Sequence, residues 1–143
     1  MDTQLVKQLT YAGTIPFLLG ALALTLNINI PLSKHYFEIL LMSYTLAIVS
    51  FLSGTHWAIG LLYPEKAPTN LFALSNLLTL LVWFLFAVSC AGLFYLVSAA
   101  VFGALLWVDQ KLFRASVISR AYFQLRKQAT GVVVICLILS FLI

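Results

Sequence analysis

Few residues in this chain could do chemistry, and most of them are scattered. The histidines are His35 and His56, the cysteines Cys90 and Cys136, and the acids Asp2, Glu38, Glu65 and Asp109. The densest stretch is Ile48 to Gly60, where a histidine, a tryptophan, two glycines and three hydroxyls interrupt an otherwise apolar run. No HxxxH, CxxC or carboxylate pair is present, so no metal or catalytic site is assigned, and no motif names a cofactor. His35 and His56 fall on one helix about 31 Å apart, too far for a haem to bridge. His56, Asp109 and a serine could be combined into a triad on paper, but any membrane bundle offers such combinations. What remains is binding or packing chemistry. An arginine suits anionic groups, a tryptophan takes a flat ring, and a buried histidine either satisfies a structural hydrogen bond or serves a ligand or a proton.

The elements that must position these residues are membrane helices. The 143 residues are 63% hydrophobic and 8% charged, against roughly 25% charged in soluble domains. The chain reads as one all-α transmembrane domain, a bundle of five helices over about residues 11–29, 36–63, 70–88, 93–108 and 128–143. Asn27, Asn29 and Pro31 close the first, and Pro64 and Pro68 bracket the break after the second. Residues 70–108 carry no charge. As one helix they would extend about 58 Å, nearly twice a hydrocarbon core of ~30 Å, so they must fold back, with Ser89 to Gly92 as the turn. Residues 109–127 alternate cations with apolar positions at helical spacing. They predict a short amphipathic segment on the cytoplasmic surface, whose second half runs on into the last span. The cysteines fit no disulfide framework, and no removable signal peptide is evident.

Charge sets the expected orientation. With five crossings, Lys7, Lys66, Lys111, Arg114, Arg120, Arg126 and Lys127 share one side, and Lys34 lies alone on the other. This positive-inside bias places the N-terminus in the cytoplasm and the C-terminus in the periplasm. The cations are expected to contact anionic headgroups rather than nucleic acid. The polar residues also concentrate in the cytoplasmic half, Glu38 being the main exception. Polar groups avoid hydrocarbon, so a pocket open to the cytoplasm is expected, built from His56, Trp57, Asn76, Asp109, Tyr122 and Arg126, with Tyr11 and Ser53 as further candidates. Asp109 and Arg126 could equally be a structural ion pair, and Trp57 an interface anchor. Gly13 and Pro16 shape the start of the first span. Ser50 and Gly54, at small-residue spacing, are expected to pack helices closely.

The stretch Ile48-Val49-Ser50-Phe51-Leu52-Ser53-Gly54-Thr55-His56-Trp57-Ala58 resembles the second-span signature S-F-L-G-G-x-H-W-G of a small multi-span family, domain of unknown function 3429. A mitochondrial inner-membrane transmembrane protein, number 69 of its naming series, is similar to that family. Ser53 and Ala58 replace two of the signature's glycines. Gly13 to Phe17 is similar to its G-x-x-P-F start, and Tyr122 to Thr130 to its Y-x-x-L-R-x-x-x-T entry into the last span. The resemblance implies a bacterial inner membrane, or the mitochondrial inner membrane in a eukaryote. It marks His56, Trp57, Arg126 and Pro16 without giving them roles. Beyond the bilayer as partner, two functions stand open. One is an accessory or assembly subunit of a larger membrane complex, with self-association compatible. The other is a binding protein for a lipid, quinone or tetrapyrrole in the cytoplasm-facing pocket. An enzyme acting on lipid head groups is the least favoured reading.

Overall fold

A computed structural model describes residues 3–26, 34–67, 70–88 and 90–143. Among them are six helices and no strands: α1 (Thr3–Ala12), α2 (Ile15–Thr25), α3 (Lys34–Leu62), α4 (Leu71–Ala87), α5 (Ala91–Arg114) and α6 (Arg120–Leu142). Asn27, Asn29, Pro31, Pro68 and Ser89, expected to end or turn spans, lie outside the described residues.

The first span begins earlier than the sequence reading placed it. Residues 3–12 are helical rather than a polar lead-in, and the rod kinks at Gly13-Thr14. Pro16, in the first turn of α2, has no N–H to return to Ala12, so the ladder cannot run through unbroken. The Thr14 N–H bonds instead to Tyr11 O at 3.0 Å, the tighter spacing of a 3-10 turn. The Gly13 carbonyl accepts from Tyr44 Oη of α3 at 3.0 Å, which fastens the kink to its neighbour.

Among the described residues, four rods are long and apolar enough to cross a membrane: Gln4–Thr25, Lys34–Leu62, Ala91–Arg114 and Arg120–Leu142. Leu71–Ala87 is apolar but shorter. Its 17 residues extend about 25 Å, somewhat less than a ~30 Å hydrocarbon core.

The surface helix expected over 109–127 does not form as a separate element. Residues 109–114 continue α5, and residues 120–127 open α6. The reason is local. Leu112 and Val108 are fully buried against Leu71, with Val117 and Ile118 packed on them, so α5 gains more by continuing than by turning onto the surface. The connection is a Schellman turn: Val117 N–H bonds to Leu112 O at 2.9 Å and Ser116 N–H to Phe113 O at 3.0 Å. Ser116 occupies the left-handed position at φ 56°, which costs an L-residue roughly 1–2 kcal/mol. Ser116→Gly is therefore expected to raise unfolding stability by about 0.5–1 kcal/mol, since glycine's looser unfolded chain offsets part of the relief. A shift in the unfolding midpoint in bicelles checks this. Ser119 then caps α6 by accepting from Tyr122 N–H.

The core runs along α2 to α6 around Phe17, Val49, Val82, Phe94, Phe102, Leu105 and Leu137. Helices approach closely at Gly20, where an added Cβ would lie 2.9 Å from Leu41, and at Gly60, 3.2 Å from Phe72. Gly54, expected to be a packing residue, has open space where its Cβ would stand. Ser50 beside it is exposed, its hydroxyl bonding back to Leu46 O. Both lie on the outer face of α3, while Ser53, His56 and Gly60 hold the inner one.

Candidate functional site

Three helix ends meet where the bundle carries the chain's N-terminal segment. His56 lies within two turns of the end of α3, Asp109 within two turns of the end of α5, and Arg126 within two turns of the start of α6. Packing of α5 on both α6 and α3 brings the three side chains together. His56 Nε2 is 2.7 Å from Asp109 Oδ1, and Arg126 Nε donates to Asp109 Oδ2 at 2.9 Å. The residues are 3%, 2% and 7% exposed. The carboxylate thus receives one donor on each oxygen, and the Asp109–Arg126 pair is neutral as a unit. Because the three groups sit on three different helices, the network fixes their register at this end.

Asp109 and Arg126 thus form an internal ion pair, with His56 as its third member. The other expected pocket residues do not join it. Trp57 and Asn76 are exposed on the opposite side of α3, where Trp57 packs edge-on against Phe72 of α4 at 5.2 Å between ring centres. Asn76 and Trp57 border a groove of about 270 Å³ between α3 and α4, together with Ser50, Ser53, Gly54 and Thr79. Tyr122 is half-buried and lies on the other flank, in a groove of about 380 Å³ that Arg126 and Thr130 also line. Tyr11 crosses from α1 to α6, donating from its hydroxyl to Gln128 Oε1 at 2.6 Å. The residues of the single expected pocket are therefore divided among separate grooves around the buried network.

A family profile described as "Protein of unknown function (DUF3429)" matches residues 3–142. The chain belongs to this family. No curated protein and no solved structure matches it, so the comparisons carry no likeness to a mitochondrial protein. The DUF3429 match spans the network and both grooves alike.

Several residues of this DUF3429 chain matter more than their sequence context suggested. Most helical hydroxyls return their proton to the carbonyl one turn back: Thr45 to Leu41, Ser75 to Leu71 and Ser140 to Cys136. Thr130 and Ser53 do not, and their oxygens are buried without a partner, as is Nη2 of Arg126. Neither the free Thr130 donor nor the Tyr44 anchor is written in residue type or spacing, because each depends on which rotamer the neighbouring helix permits. Among the described residues, no three His, Cys, Asp or Glu side chains gather as a metal ligand set.

Proposed function

We propose that this chain is a non-catalytic accessory subunit that docks a transmembrane helix of a larger membrane complex against its α3–α4 groove. The observation that carries the reading is the groove's polarity at membrane depth. Asn76 and Ser50 are exposed on the outer surface of helices apolar enough to lie in a bilayer. Ser53 adds a buried hydroxyl with no partner of its own. An amide facing hydrocarbon is costly, and a neighbouring helix bearing a hydrogen-bonding side chain removes the cost. The open face at Gly54 gives such a helix room for close backbone approach. In this reading the chain crosses a bacterial inner membrane five times, with α4 crossing where the bilayer thins around it. The cation-rich end faces the cytoplasm.

Site-specific photocrosslinking in native membranes tests the proposal. A photoreactive residue at Ser50 or Thr79 is expected to give one discrete adduct with a second polypeptide, whose untagged form co-migrates with the untagged chain on native gels. The same probe at Leu96, a lipid-facing position on α5, is expected to label lipid only. Adducts to lipid alone from the groove positions would remove the reading, and adducts to a second copy of this chain would replace it with self-association.

A further inference from the structure

The groove on the other flank has the features of a ligand site. It lies between α1–α2, α3 and α6 and has a volume of about 380 Å³, within the ~300–1,000 Å³ of small-molecule sites. Its polarity is graded. Arg126, Thr130, Tyr122 and Thr55 line the end nearer the buried network, and Phe17, Ile48 and Phe102 line the deeper part. Two of the polar residues carry unused donors. Arg126 spends Nε on Asp109, while its Nη2 is buried and unpartnered, as is Thr130 Oγ1 one turn further along the same face of α6. A buried donor without an acceptor costs about 1–3 kcal/mol. Two of them on one groove wall call for an acceptor brought from outside the chain.

Charge decides what kind of acceptor. Asp109 already pairs with Arg126, so a carboxylate or phosphate head would compete with an existing counter-charge at membrane depth, which is expensive. A neutral carbonyl accepts from both donors without that cost. Half-buried Tyr122 adds a ring face that suits a flat conjugated ring, over a floor of the buried Phe17 and Phe102. The deeper apolar part opens toward lipid along Ile48 and Phe51, giving a tail somewhere to go.

We infer that this groove binds a neutral, carbonyl-bearing ring with an apolar tail, of the isoprenoid quinone class, with a ring carbonyl accepting from Arg126 Nη2 and Thr130 Oγ1. The site is separate from the α3–α4 docking groove and does not depend on it. The test uses the full chain in quinone-free nanodiscs and tritiated decylubiquinone as the probe. One saturable site per chain is expected. Thr130→Val, which keeps the shape and removes the donor, is expected to weaken binding about tenfold. Thr55→Phe, across the groove, is expected to abolish it. Ser140→Ala, distant on α6, should leave it unchanged. Absence of a saturable site would overturn the proposal. So would full affinity in both groove variants, or displacement of the quinone by palmitate at equal or lower concentration, since that would mean an anionic head is the better fit.

Discussion

Asp109→Leu is expected to destabilise the bundle by about 3–5 kcal/mol, the usual cost of removing one partner from a buried ion pair. The substitution leaves the Arg126 guanidinium, 7% exposed, without its counter-charge. It also takes the acceptor from His56 Nε2, 2.7 Å away. Reversible unfolding in bicelles measures the loss. The double variant Asp109→Leu/Arg126→Met is expected to recover most of it, because buried pairs replaced by apolar residues of similar volume are often neutral or better. His56→Ala should cost less, about 1–3 kcal/mol, since it strips one donor from a carboxylate that keeps its arginine. A double variant as unstable as Asp109→Leu alone would mean that shape, and not charge, governs this position.

Phe94→Ala is expected to give the second large loss, about 2–3 kcal/mol. Phe94 is fully buried, edge-on to both Phe86 and Tyr95 at ring-centre distances of 6.4 and 5.9 Å. In water such a truncation costs roughly 3–5 kcal/mol. In a bilayer the transfer part largely vanishes, because lipid tails are as apolar as the protein interior. The cavity part persists, at about 24 cal/mol for each of roughly 100 Å³ vacated. Phe84→Ala on the lipid-facing side of α4, 57% exposed, leaves no cavity and should stay within about 0.5 kcal/mol. Equal losses at the two positions in the same unfolding assay would contradict this separation of cavity from transfer.

The helices were largely legible in the sequence because length and hydropathy act along one dimension. The limits of α3 and α4 fall within a residue or two of the expectation, and the break between α4 and α5 falls where length demanded a fold-back and the turn residues placed it. Depth was legible for the same reason, since His56, Asp109 and Arg126 do lie at one level. What the sequence left open was rotation about each helix axis. One residue is about 100° of turn. Along α3, Ser50, Gly54 and Trp57 face out while Ser53, His56 and Gly60 face in, and both stripes contain small or polar residues. In α4 the same holds for exposed Asn76 and buried Ser75. An almost uniformly apolar helix carries no moment to choose between adjacent faces, so Asn76 is expected beside His56 although it is exposed and His56 is buried. The 109–127 segment misled differently. Its cations suggested a surface helix, yet Leu112, Val117 and Ile118 bury beneath them and Asp109 turns inward to meet Arg126.

In the proposed function, the buried His56–Asp109–Arg126 network holds the bundle in register so that the polar α3–α4 groove can receive a partner helix. The most direct test is native mass spectrometry of the untagged-level chain extracted with its surrounding lipid into polymer nanodiscs. The predicted result is a defined hetero-assembly of this chain with a second membrane polypeptide. It should be lost in Asn76→Leu, which makes the groove apolar, and retained in Thr130→Val on the other flank. A chain that flies alone with lipid, or whose assembly is indifferent to Asn76→Leu, would contradict the claim.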